Sequence, residues 1–186
     1  MNTLHITLNG QSPLLMHNPQ GMLGGKSDSM NRKQIPTAEE DAEKSLYVLP
    51  DGNLFVPAVA VRNSMLSGAK GYRIGKKSAW AVLAGAVLMI DEMLPLYRNG
   101  NPISGKDYSI DIRRAVVQRQ GIPRARARIE LPWQLDCIFG YNEDLAGLDH
   151  INTALNSAGQ MIGLLDYRVE KKGWFGRFEV AEIYAE

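Results

Sequence analysis

A chain of 186 residues, 45% of them apolar, is long enough to bury a core, which excludes global disorder. The formal net charge is +1, so overall charge says nothing about a partner, and any such case rests on where the charges lie. Cys137 is the only cysteine, which excludes an intrachain disulfide and fits a reducing compartment.

The opening MNTLHITLNG has neither the basic nor the long apolar region of a signal peptide, and the most apolar helical stretch, 78–90, is too short for a bilayer. The expectation is a soluble cytoplasmic protein (host cytoplasm if phage-encoded) with no membrane partner. Leu4, Ile6 and Leu8 alternate with His5, Thr7 and Asn9, the pattern of a half-buried first strand. Residues 18–37 are rich in Pro, Gly, Ser, Asp, Asn and Lys without periodicity and read as a long mobile loop. Residues 46–56 read as a hairpin turning at Asp51-Gly52. Pro57 then introduces a helix over 58–69, with Val61, Met65 and Leu66 on one face and Gly68 and Gly71 at its end. A second helix is predicted over 77–90. Trp80, Leu83, Ala84, Val87 and Leu88 line one side, and Val82, Met89 and Ile90 make it apolar nearly all round, so burial is expected on more than one side, in this core or against another subunit.

Met93 to Tyr97 reads as a strand, Asn99-Gly100 as a turn, and Gly105 and Gly121 as further breaks. The clearest strand signal covers 128–137. Ile129, Leu131, Trp133, Leu135 and Cys137 alternate with polar neighbours, and Pro132 marks an edge or a bulge. A last helix spans 144–162 with Leu148, Ile151, Leu155, Ala158 and Ile162 on one face, and a final strand runs over 175–184. This order predicts a single α+β domain: a ferredoxin-like or RNA-recognition-like antiparallel sheet, helices on one face, and insertions near 18–45 and 91–125.

Two stretches concentrate positive charge. Six arginines lie within 113–128, and no acidic residue falls between Asp111 and Glu130. Arg124, Arg126 and Arg128 share one face at period two, which either tracks a phosphate backbone or is a solvated face. Arg113, Arg114 and Arg119 are expected on a protruding hairpin. Near the C-terminus, Tyr167, Arg168, Lys171, Lys172, Trp174, Phe175 and Arg177 interleave cations with aromatics between the glycines at 173 and 176. Cations neutralise phosphates and aromatic faces stack on bases, so the pattern points to single-stranded nucleic acid. Alternatively one of Trp174 and Phe175 plugs the core beside the last strand, and Trp133 reads as core because Leu131 and Leu135 share its face. Arg62 either contacts phosphate or is merely exposed.

Enzymatic chemistry has little support. His5, His17 and His150 lack metal-ligand spacing, although His17 follows the first strand, where a catalytic histidine is conceivable. Cys137 alternates with core residues. Gly24-Gly25-Lys26-Ser27 lacks the phosphate-loop spacing, and the placing of Asp28, Asp91, Glu92 and Asp111 does not require magnesium. The expectation is a non-enzyme with no cofactor and no metal.

The stretch LPDGNLFVPAVAVRNSMLSGAKG, with Gly52, Pro57, Ala58, Arg62 and Leu66, resembles the hairpin, proline and small-residue helix of RAMP-superfamily proteins; Ala58, Val59 and Ala60 stand where that pattern has glycine and serines. Gly163, Arg168, Gly173, Gly176 and Arg177 resemble a Cas7-type loop entering the last strand. Over nearly its full length the chain also resembles small uncharacterised phage and prophage proteins, through Pro13 to Asn18 and Gly163 to Val180, with Leu165 where that pattern has glycine. The Cas7 resemblance implies an RNA-recognition-like core, guide-RNA binding and head-to-tail stacking into a filament, in a CRISPR-type ribonucleoprotein. The phage resemblance implies a replication or recombination complex on single-stranded DNA. The alternatives are a phage structural or interaction protein that binds no nucleic acid, and a metal-dependent nuclease.

Overall fold

The computed structural model describes residues 2–23, 36–117 and 120–186. In chain order these form β1 (Asn2–Gly10), β2 (Leu14–Leu15), α1 (Pro19–Leu23), α2 (Ala38–Lys44), β3 (Phe55–Pro57) and α3 (Ala58–Gly68). A short basic hairpin follows, β4 (Arg73–Ile74) and β5 (Lys77–Ser78), leading into α4 (Ala79–Ala86), β6 (Val87–Met89), β7 (Met93–Arg98) and β8 (Asn101–Pro102). The remainder comprises β9 (Ser109–Val117), β10 (Gln120–Ile129), β11 (Gln134–Tyr141), α5 (Leu148–Met161) and β12 (Phe178–Ala185).

The central sheet runs β12-β1-β11-β7-β3, antiparallel throughout and unclosed, with β6 also paired to β11 and β8 to β7. With β6 and β7 counted as one strand, β1, α3, that strand, β11, α5 and β12 follow the βαββαβ path of a ferredoxin-like fold. The register explains the alternation seen in the sequence. Leu4, Ile6 and Leu8 stand opposite Phe139, Cys137 and Leu135, and all six are buried under α3 and α5. Gly68 permits the two helices to cross closely, because a Cβ there would lie 2.4 Å from the Ala154 carbonyl oxygen. Asn99 and Gly100, both at positive φ (51° and 79°), form the two-residue turn between β7 and β8 that an Asn-Gly pair favours. Since β7 belongs to the central sheet, the excursion expected from residue 91 begins only after it.

Two expectations need correction. The alternating run 128–137 is not one strand. β10 ends at Ile129 and pairs with β2 and β9 in a second, three-stranded sheet, whereas β11 starts at Gln134 in the central sheet. Pro132, without an N–H, lies in the break, and Trp133 is buried there with its indole N–H donated to the Ser12 carbonyl (2.8 Å). Ile129, Trp133, Leu135 and Cys137 point into the same core, as the alternation predicts, but Leu131, in the break, is exposed. The helix expected over 77–90 ends at Ala86; Val87 turns extended (φ −115°, ψ 119°) and 87–89 pair with β11 as β6. Leu83 and Val87 are buried as expected and Val82 and Ala84 are half-buried, but Trp80, Leu88, Met89 and Ile90 are exposed. Of the loop read over 18–37, α1 covers the first part, and 24–35 lie outside the described residues.

Candidate nucleic-acid interface

The two segments that carried the phage-like pattern lie against each other. The Gly176 amide donates to the Pro13 carbonyl (2.8 Å), the Arg177 amide to Ser12 Oγ (2.9 Å) and the Asp166 amide to the Leu15 carbonyl (3.1 Å). Ser64 Oγ on α3 donates to the Gly163 carbonyl (2.9 Å). The C-terminal loop is therefore pinned from both sides. It is also tightly wound: Leu165, Tyr167 and Lys172 adopt positive φ (59°, 50° and 63°), and a Cβ at Gly173 would sit 1.6 Å from the Tyr167 carbonyl oxygen. Non-glycine residues held in the left-handed region mark a segment whose shape is dictated by its surroundings.

The β9–β10 hairpin lays its arginine face over this loop. The guanidinium carbon of Arg113 is 4.4 Å from the Trp174 ring centroid, 5.0 Å from that of Phe175 and 5.3 Å from that of Tyr167. Asp111 pairs with Arg113 at 2.6 Å. Arg124 stands opposite Arg113 in register and is half-buried. Arg126 Nε meets Asp166 Oδ2 at 2.6 Å, and Arg128 pairs with Glu130 at 2.8 Å while lying 5.8 Å from the Phe175 ring. The outward stripe expected for 124, 126 and 128 is thus folded inward: Arg126 is only 9% exposed, because the loop covers it and Asp166 neutralises it. Arg114 points to the other face of the hairpin, opposite Pro123, and is exposed. Arg119 lies outside the described residues.

Phe175 is fully buried and is the core plug of the pair; Trp174 is 52% exposed and stacks on it (5.3 Å between centroids, 22°). Lys171, Lys172 and Arg177 are exposed around it. Arg168 is half-buried, paired with Glu170 and bonded to the Leu165 carbonyl. Arg62 does neither of the things the sequence suggested: its Nε and Nη2 donate to the carbonyls of Val87 (3.1 Å) and Ala84 (2.6 Å), satisfying the C-terminal end of α4.

Between α3, the loop and the end of β2 opens a cleft of about 390 Å³, lined among others by His17, Tyr47, Asn63, Ser67, Asp166 and Arg168. Burial lowers the His17 pKa; Asp166 opposes this, and Arg126 and Arg124 add to it. Its Nδ1 is buried and makes no hydrogen bond among the described residues. Tyr47 donates its hydroxyl to the His17 carbonyl (2.9 Å), and burial raises its pKa, so it stays a donor at neutral pH. The cleft therefore offers a neutral imidazole and polar side chains, with its one lining cation among the described residues, Arg168, already paired with Glu170, and with an aromatic and lysines nearby on the loop. Tyr47 and Asp166 escaped the sequence reading: an isolated tyrosine and an isolated aspartate carry no local pattern. Among the described residues, no three His, Cys, Asp or Glu side chains are placed to hold a metal ion. Burial pushes the Cys137 thiol well up, which leaves it unreactive.

The open face of the central sheet differs in character. Asp136 and Glu182 flank Thr7 there, and His5 stacks on Tyr184 (4.8 Å, 9°). Carboxylates on that face repel a phosphate chain, so the basic, aromatic loop is the better candidate.

No family model matches the chain, and the search of curated proteins finds no match. Among solved structures, the chain is similar to one in the cryo-EM structure of the Type III-B Cmr-beta bound to cognate target RNA, with a TM-score of 0.60 and 13% identity. The likeness covers 99% of this chain and 60% of that one, so this chain spans less than two thirds of its structural relative. At that identity it is a likeness of fold: an α+β architecture with an unclosed antiparallel sheet and helices on one face, of the ferredoxin-like kind. No described helix is long and apolar enough to cross a membrane.

Proposed function

We propose that this chain binds single-stranded nucleic acid along its phosphate backbone, without cleaving it, as a repeating subunit of a Cas7-like filament or complex. One observation carries the reading: a strained, doubly pinned loop exposes Trp174, Lys171, Lys172 and Arg177 beside a polar cleft and over an arginine-aromatic platform. Strain of this kind is kept where a surface must hold a set shape. The similarity to a chain of an RNA-bound CRISPR assembly adds support, because the same fold serves there within a nucleic-acid complex.

Binding should be salt-dependent and weakly selective for sequence, since counterion release drives it. Fluorescence anisotropy with long labelled RNA, single-stranded DNA and duplex at two salt concentrations tests this. Binding to a single strand that weakens with salt is the expected result; no binding to either single strand at low salt refutes the proposal. The same oligonucleotides incubated with magnesium or manganese should stay intact, and cleavage lost on one carboxylate substitution would make the protein a nuclease.

A further inference from the structure

The longest acid-free stretch of the described chain is not the arginine-rich hairpin. From residue 52 through 90 there is no Asp or Glu, and Lys70, Arg73, Lys76 and Lys77 fall within eight consecutive positions of it. The structure gathers these four on the small β4–β5 hairpin and the 3-10 turn before it, Ala69–Gly71. All four are exposed, and among the described residues none pairs with a carboxylate. That sets them apart from Arg113, Arg126, Arg128 and Arg168, whose charges are already neutralised within the fold.

Two further features converge on the same spot. β5 runs directly into α4, whose N-cap residue, Ser78, is exposed and makes no side-chain cap bond. Trp80, in the first turn of α4, is 45% exposed. Burial within the chain does not account for a half-exposed indole beside four cations unpaired among the described residues, a combination that suits a polyanion carrying flat rings. The hairpin is held rigidly: the Ala79 amide donates to the Tyr72 carbonyl (3.1 Å), and the Tyr72 hydroxyl donates to the His150 carbonyl (2.7 Å) near the start of α5.

We infer that the β4–β5 hairpin with Trp80 is a second nucleic-acid contact, in which Lys70, Arg73, Lys76 and Lys77 neutralise phosphates and the indole stacks on a base. The inference rests on the proposed single-strand binding. The hairpin lies at the N-terminal end of α5 and the cleft at its C-terminal end, so the two contacts are separated by roughly the length of that helix, about 20 Å. A strand engaging both is read out over several nucleotides by one subunit.

The test compares two folded variants with the intact chain: Lys70→Gln/Arg73→Gln/Lys76→Gln/Lys77→Gln, and Lys171→Glu/Lys172→Glu on the loop. Melting temperature is measured beside anisotropy on RNA and single-stranded DNA across a salt series. The hairpin variant should keep its melting temperature and bind at least about tenfold more weakly at low salt, with a salt slope shallower by about 0.7 for each phosphate that is no longer neutralised. Trp80→Ala should weaken binding without altering that slope, and irradiation should cross-link the strand to Trp80. If the intact chain binds and only the loop variant is impaired, the hairpin proposal is overturned while the proposed function stands. If only the hairpin variant is impaired, the hairpin is the main site and the loop assignment falls. No binding by the intact chain removes both. Binding of the hairpin to phosphatidylserine vesicles, with strand affinity unaffected by the four substitutions, assigns it to a membrane surface and also overturns the inference.

Discussion

At the residue scale, the arginines and aromatics divide by what already neutralises or covers them. Arg126 belongs to the fold. Removing it leaves Asp166 partly buried and unpaired, so Arg126→Met should destabilise the protein toward the lower end of about 3–5 kcal/mol, because Asp166 keeps some exposure to solvent. The double variant with Asp166→Leu should recover much of that loss in chemical denaturation; no recovery would show that the pair is not the reason Arg126 is buried. Trp174 behaves oppositely. With half its surface exposed, Trp174→Ala should cost about 1 kcal/mol or less of stability yet about 1–3 kcal/mol of single-strand affinity if a base stacks there. A large fall in melting temperature with unchanged affinity would instead make it structural. His17 sets a pH dependence. Its folded pKa lies below its ordinary value of 6.5, so the unfolded chain takes up a proton first as pH falls. The stabilisation from keeping His17 neutral is complete above about pH 6.5 and declines as the pH drops below it toward the folded pKa. His17→Gln should flatten the stability profile in that window, and an unchanged slope would show that His17 is not the titrating group.

At the element scale, the crossing of α3 and α5 fixes where the site can form, since α3 supplies one wall of the cleft and α5 ends at the loop. Gly68 sets the closeness of that crossing. Gly68→Ala pushes a methyl into the backbone of α5 near Ala154 and Ala158, which cannot retreat as a flexible side chain would. Overpacking of this kind costs typically about 1–3 kcal/mol, and thermal denaturation should show it; a neutral or stabilising effect would mean that the helices separate freely. Pro132 and Arg62 make the corresponding point for the other elements. A proline without a donor lies where an alternating run divides between two sheets, and one arginine bonds the carbonyls at the end of a helix whose apolar sequence runs on to residue 90. Periodicity picks out Ile129, Trp133 and Leu135 as core-facing, although Leu131, Trp80 and Leu88 in the same patterns are exposed. It does not report from which sheet a side chain reaches the core.

At the scale of the whole molecule, an exposed apolar strip bears on assembly. Val59, Met89 and Met93 are each at least 40% exposed and line a groove of about 500 Å³ with Phe55, Pro57 and Glu92; Leu88 and Ile90 continue the strip. Such patches mark contact surfaces in soluble proteins. A subunit that coats a strand by head-to-tail contacts would use one, because heterologous contacts that do not close give an open filament. Mass photometry should therefore show oligomers that lengthen with a long single strand, and Met89→Asp/Met93→Asp should shorten them. A strictly monomeric protein in both conditions, binding without cooperativity, would contradict assembly.

The sequence by itself determined the α+β class, the first strand, the Asp51-Gly52 and Asn99-Gly100 turns, the helix after Pro57, the amphipathic helix before the C-terminal loop and the core placement of Trp133. Each follows from local periodicity or turn chemistry, which neighbouring residues specify without help from distant ones. It also held the acid-free stretch 52–90, a signal as legible as the arginine cluster at 113–128. Only the tertiary structure decided which cations remain available. Arg126, Arg128 and Arg168 read as a basic surface until Asp166, Glu130 and Glu170 are seen beside them, and Arg62 reads as a phosphate ligand until the end of α4 is seen to claim it. A charge is recognisable from its residue type, but its availability depends on the groups that folding brings within a few ångströms, and for Arg62 and Arg126 those lie 25 and 40 residues away along the chain.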